Sequence, residues 1–221
     1  MTPQPRGIKT RERILRKATQ LASIEGLEGI TVGRLAEALG LSKAGLFAHF
    51  GSKEALQLAI IEDARLVFMG KVIEPAEQMP EGLPRLFALQ ANWIAYLREM
   101  TFRGGCFFAA ASAEFDGRPG LVRTRISAVA GGWRLRLEAE AHRAAQLGHL
   151  LADASPSRLA FMLHATTLEA NWAHQLLGDI DSFDTAREIS ESILRSVAAP
   201  EGLRAAKARR VVTASVHGQT A

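Results

Sequence analysis

The sequence has one cysteine, Cys106, and one tyrosine, Tyr96, among 221 residues, and aromatic side chains make up only 6% of it. A single thiol excludes an internal disulfide framework and any zinc site built on several thiolates. No apolar run approaches the ~18 residues that a membrane-spanning helix needs. The opening segment MTPQPRGIKTRER is charged where a secretory signal would be apolar, so the chain reads as cytoplasmic, with no membrane partner. Alternating strand patterns and internal repeats are missing. So are the marks of common enzymes: there is no glycine-rich phosphate loop after a strand and no serine elbow. The six histidines include no H-E-x-x-H pair. His142 and His149 lie seven apart, which surface histidines on an amphipathic helix explain. No catalytic residue, metal ligand or cofactor is expected. A small helical enzyme using a pocket within residues 83–178 is the remote alternative.

The charge is unevenly distributed. Residues 1–53 carry nine Lys/Arg against four Glu, a surplus of +5, while residues 54–199 come to −4 and the tail 201–221 adds +3. A basic module ahead of a mildly acidic remainder suits a polyanion partner for the first part, although a solvated charged face would look the same. The pattern within the module has to decide.

Helical periodicity runs through the chain. Ile14, Ala18, Leu21 and Ala22 predict a first helix over about 8–25. Thr31 caps a short helix carrying Val32, Leu35, Ala36 and Leu39, which Gly40 ends. Ser42 caps another from Lys43 to His49, with Leu46, Phe47 and Phe50 inward. Ser52 caps a long segment to about Ile73. Residues 74–84, with three prolines, read as a linker. Further helices are expected over 83–101, 105–115, 119–150, 156–178 (opened by Ser155-Pro156) and 182–199. The tail 201–221 shows no clear apolar face and is expected to be frayed or disordered.

Two short helices joined by a glycine-containing turn in a basic three-helix unit match a helix-turn-helix. The residues near the start of the second helix, Ser42, Lys43, Ala44 and Gly45, are small or polar, as entry into a major groove requires. The helix starts at Thr31, Ser42 and Ser52 offer N–H groups to phosphates. Capped short helices with glycine turns also occur in all-α proteins that do not bind DNA.

The segment from Thr31 to Phe50 (TVGRLAEALGLSKAGLFAHF), followed by Gly51-Ser52-Lys53-Glu54-Ala55-Leu56, resembles the N-terminal domain of the TetR family of transcriptional regulators. So does the upstream pattern of Arg13-Ile14-Leu15, Ala18, Leu21-Ala22 and Glu25-Gly26. The resemblance covers about residues 8–60 and implies an all-α homodimer on a partly palindromic double-stranded DNA operator. By that resemblance Thr31 and Lys53 bind phosphate, Ser42, Lys43, Ala44 and Gly45 face the groove, and His49 lies near the backbone. Family members commonly carry tyrosine where this chain has Phe47, so the hydroxyl contact to phosphate is lost here. Arg34 or Lys43 could replace it.

The remaining chain resembles the family less. From Leu159 to Leu177 the only formal charge is Glu169, with apolar residues nearly all round. Such a helix is buried on all sides, either against a second subunit or as the central helix of a monomer. The homodimer reading places Phe161, Leu168, Trp172, Leu176, Ile189 and Ile193 in the interface. Trp93, Tyr96, Phe107, Phe108, Phe115, Trp133 and His164 are candidates for an effector pocket, or plain core. Cys106 reads as a redox-sensing thiol or a buried structural one. Residues 104–123, with the run EFDGRPG, resemble one branch of the family.

The resulting expectation is an all-α protein with a helix-turn-helix domain over 1–52, a helical effector-binding and dimerisation domain over 53–200, and a loose tail over 201–221. Its function would be a repressor released by a small apolar or amphipathic effector. A constitutive DNA-binding regulator without an effector is the main alternative.

Overall fold

The computed structural model describes residues 6–207, with side chains from Thr10 onward. Among the described residues there are no named strands, and a single isolated bridge joins Leu150 and Ala198. The helices are α1 (Arg6–Glu25), α2 (Val32–Leu39), α3 (Lys43–Phe50), α4 (Lys53–Phe68), α5 (Glu74–Glu77), α6 (Leu83–Arg98), α7 (Phe107–Phe115), α8 (Leu121–Gln146), α9 (Pro156–Trp172), α10 (Ser182–Ser196) and α11 (Pro200–Lys207). Single π-turns follow α4 (Met69–Ile73) and α9 (Ala173–Leu177). No described helix is long and apolar enough to cross a membrane.

The chain forms two compact units. The first is the described chain up to Phe68 together with Met100–Gly131; the second is Met69–Glu99 with the described chain from Gly132 onward. The split at Gly131 falls inside α8.

In the first unit α1 supplies Ile14 and Ala18 to a core shared with Leu35 of α2, Leu46 of α3 and Leu56 and Ile60 of α4, all completely buried. Gly40 ends α2 with φ 63°, and two hydrogen bonds close the end: Leu41 N–H to Ala36 and Gly40 N–H to Glu37. This pairing lets the chain turn within the three residues Gly40–Ser42 and start α3 at Lys43. Leu46 and Phe50 are buried, but Phe47 is 55% exposed, which corrects its expected inward position. At 100° per residue Leu46 and Phe50 share a stripe and Phe47 stands off it.

In the second unit the core joins Leu83 and Leu86 of α6, Ala141 and Ala144 of α8, Leu163 of α9 and Leu194 of α10. The buried Gln90 of α6 directs its Nε2 to the Leu163 carbonyl (3.1 Å), Thr167 Oγ1 (2.7 Å) and Ser190 Oγ (2.9 Å), connecting α6 with α9 and α10.

Two expectations about boundaries fail. The proline-containing stretch from 74 is not a loop at first, because Glu74–Glu77 continue as α5. The π-turn just before it widens the helix and drops a hydrogen bond, which accommodates the ring and missing N–H of Pro75. The tail is likewise ordered through Lys207. Ala199 N–H bonds the His149 carbonyl at 2.9 Å, and a Cβ at Gly202 would lie 2.3 Å from that oxygen, so a glycine is needed to dock α11 there. Residues 208–221 lie outside the described part.

Candidate nucleic-acid interface

Three side-chain caps open the helices of the basic unit. Thr31 Oγ1 accepts from Arg34 N–H at 3.0 Å, Ser42 Oγ from Gly45 N–H at 3.1 Å and Ser52 Oγ from Ala55 N–H at 3.0 Å. Each cap satisfies one N–H of its helix end. The others point outward with the positive end of the helix dipole, an arrangement that suits a phosphate.

Lys43 is exposed, and its side chain bends back over the first turn of α2. A Cβ built at Gly33 would lie 3.4 Å from Lys43 Cε, 3.7 Å from its Nζ and 3.8 Å from Thr31 Oγ1. The ammonium therefore stands beside the capped start of α2, where its charge adds to that of the helix end. Ser42, Ala44 and Gly45 are exposed at the start of α3, and the half-buried His49 lies near its end, with its ring centroid 6.3 Å from that of Phe50.

Two other cations of the expected set have carboxylate partners. Arg34 grips Glu25 through Nε (2.9 Å) and Nη2 (2.5 Å), with Glu37 at 3.8 Å. That hydrogen bond, opposed in part by desolvation, holds the Glu25 carboxyl below its usual range. Lys53 donates to Glu28 at 2.7 Å, and this bond, with one from Gln57, lowers the Glu28 carboxyl in the same way. Of the two residues that could replace the missing tyrosine hydroxyl, Arg34 is held in a fork on Glu25, whereas Lys43 is beside an open helix start.

Sequence reasoning attached no role to Glu114. Its carboxylate, on α7, accepts the N–H groups of Leu27 (2.7 Å) and Glu28 (2.9 Å), the turn that links α1 to α2. Gly26, at φ 82°, passes so close that a Cβ there would lie 2.9 Å from Glu114 Oε1. The neighbouring strand of chain is docked on α1 as well. Gln20 Nε2 donates to the Thr101 carbonyl at 2.7 Å, and a Cβ at Gly104 would lie 1.5 Å from the Ser23 carbonyl oxygen. No local spacing signals these contacts, since 87 residues separate Leu27 from Glu114.

The candidate effector residues form separate groups. Trp93 packs edge-on against Trp133, with centroids 5.3 Å apart, and at the same distance from His164. Burial, then the charge of Arg134, pushes the His164 imidazole toward its neutral form. Tyr96 is buried in the same unit. Phe107, Phe108 and Phe115 belong to the first unit, where Phe107 meets Phe108 at 5.2 Å and Phe115 lies under Arg118. Trp93 Nε1 is a buried donor without a hydrogen-bond partner among the described residues. A separate cleft of about 360 Å³ lies between α6, α10 and α11, walled by Phe87, Ile94, Leu194 and Leu203 with Arg187 and Lys207 among its polar residues. It includes none of the aromatic candidates. Cys106 is buried, and burial raises its thiol above the usual range, the reverse of activation.

Helix α9 turns Leu159, Ala160 and Leu163 into the core and leaves Phe161 and Trp172 exposed. Leu176, Leu177 and Ile189 are exposed too, and Leu168 and Ile193 are half-buried.

Residues 14–60 match the family model described as bacterial regulatory proteins, tetR family, and residues 82–190 match the one described as tetracyclin repressor-like, C-terminal domain. The chain is 47% identical over 58 residues to the HTH-type transcriptional repressor AcnR of Corynebacterium efficiens, which covers 26% of this chain and 31% of that protein. It thus spans about a third of the length of the first curated relatives it matches. A longer, weaker likeness reaches AcnR of Corynebacterium jeikeium, 29% identical over 158 residues, 66% of this chain and 79% of that protein. In fold, the chain is similar to a TetR transcriptional regulator from Chloroflexus aurantiacus, with a TM-score of 0.79 at 23% identity over 87% of this chain and 97% of the other. With a matching model on the helix-turn-helix and another on the helical remainder, the chain belongs to the TetR family.

Proposed function

We propose that the protein is a transcriptional regulator of the repressor kind, a homodimer that binds a palindromic operator through α2 and α3 and leaves it when a small apolar or amphipathic effector binds. DNA binding is assigned to residues 1–52, and effector binding and dimerisation to 53–200. The observation that carries this reading is the placement of Lys43 over the capped start of α2, beside Thr31, with the outer face of α3 uncovered. A cation, a helix end and an open short helix together provide phosphate contacts next to a groove-reading surface. Ser42, Ala44 and Gly45 would approach the bases, with His49 and Lys53 near the backbone. Arg34, in its fork on Glu25, would orient α2.

The exposed residues Phe161, Trp172, Leu176 and Ile189 support the homodimer. Large apolar side chains left this open on two packed helices and a π-turn are costly in water and suit an interface. The buried Trp93 donor beside His164 supports an effector with an acceptor group at the Trp93–Trp133–His164 cluster, which Tyr96 adjoins in sequence. Such an effector weakens DNA binding only by the ratio of its affinities for the two conformers of the dimer.

The test is selection of bound sequences from random DNA, followed by anisotropy titrations of the selected site over a range of salt. A log–log salt slope reflecting several phosphates is expected. Lys43→Ala should lower its magnitude by about 1 while leaving the dimer intact. Salt-insensitive association, or unchanged affinity in Lys43→Ala, would refute this assignment.

A further inference from the structure

The outer face of α3 has very little hydrogen-bonding chemistry. Ser42 Oγ is engaged by the Gly45 N–H. Lys43 is drawn back over α2, and Gly45 has no side chain to offer. Leu46 and Phe50 are buried. What remains exposed along the helix is Ala44, Phe47 and Ala48, at positions i, i+3 and i+4, which on a helix make one surface. Phe47 is the largest of them, and just over half of it is open to solvent.

This face bears no arginine, asparagine or glutamine able to grip guanine or adenine in bidentate fashion. In the major groove an apolar side chain can instead recognise the C5-methyl group of thymine. The basic charge of residues 1–53 and the phosphate-facing start of α2 make DNA the occupant this apolar surface is built for. We infer that Ala44, Phe47 and Ala48 form a methyl-reading face, with Phe47 packed against a thymine methyl in each half-site. The position that lacks a phosphate-binding hydroxyl is thereby a base-reading one. This inference rests on α3 being the recognition helix.

The experiment uses the full chain and the site it selects from random DNA. Each thymine of that site is replaced in turn by deoxyuridine, which keeps every hydrogen-bonding group and removes only the methyl. Burial of one methyl-sized group predicts a loss of about four-fold in affinity at one thymine, and about fourteen-fold when the symmetric pair is replaced. In Phe47→Ala the thymine and deoxyuridine sites should bind equally at that position, while sensitivity at any other thymine persists. Phe47 is on the surface, so the variant should fold, and its melting curve checks this. A selected site indifferent to deoxyuridine at every position would overturn the inference, as would a Phe47→Ala protein in which every deoxyuridine effect of the parent survives. If no sequence is selected at all, the DNA-binding reading itself fails, a result distinct from either.

Discussion

Glu114→Ala removes the acceptor for two backbone N–H groups at once, those of Leu27 at 2.7 Å and Glu28 at 2.9 Å. A hydrogen bond to a charged group contributes about 1.5–3 kcal/mol. Glu114 is only partly buried, so water can reach the freed groups, and the lower end of that range applies to each. The expected loss is therefore about 3 kcal/mol. For a chain of this size melting in one transition, that lowers Tm by about 6–12 °C. Glu114→Gln should fall between, since one carbonyl oxygen still accepts while the amide NH2 faces the other N–H. Thermal melts followed by far-UV circular dichroism measure both variants. The loss should extend to operator affinity, because the Leu27–Glu28 turn sets where α2 starts and hence where α3 stands. A Glu114→Ala protein whose stability lies within about 0.5 kcal/mol of the parent, as for an ordinary surface change, would refute the reasoning.

Trp172→Asp combined with Leu176→Asp places two charges on the exposed apolar surface of α9 and its π-turn, and should yield helical monomers by light scattering; dimers of that variant would remove this surface from the interface. Stability should fall as pH drops through and below the ordinary glutamate value of 4.5, since Glu25, Glu28 and Glu62 are all held lower by their partners. The folded state then binds fewer protons than the unfolded one, so the contribution is complete above that range and is lost in acid. Urea midpoints that stay level from pH 7 to about 4 would contradict those assignments.

The helix-turn-helix was legible because its signals are local. Thr31, Ser42 and Ser52 cap helices through hydrogen bonds to residues three positions on, and Gly40 turns the chain by its own conformation. The arginine that looked free to meet DNA was less legible, since Arg34 meets Glu25 only once α1 and α2 are packed. Phe47 was misplaced for a similar reason: a short helix of largely apolar residues has no clear amphipathic contrast, so its inward stripe is defined by packing on its neighbours. The order of residues 200–207 depends on the His149 carbonyl, which no pattern within the tail encodes.

The sequence by itself therefore determined the all-α class, the capped starts of α2, α3, α4 and α9, and the family. Caps, glycine turns and apolar periodicity act over three or four residues and need no partner to be read. Tertiary structure alone decided which charges are committed to carboxylates, that Lys43 lies on α2, and that Glu114 holds the α1–α2 turn. Those contacts join residues from nine to nearly ninety positions apart, and only the packed chain brings them within hydrogen-bonding distance.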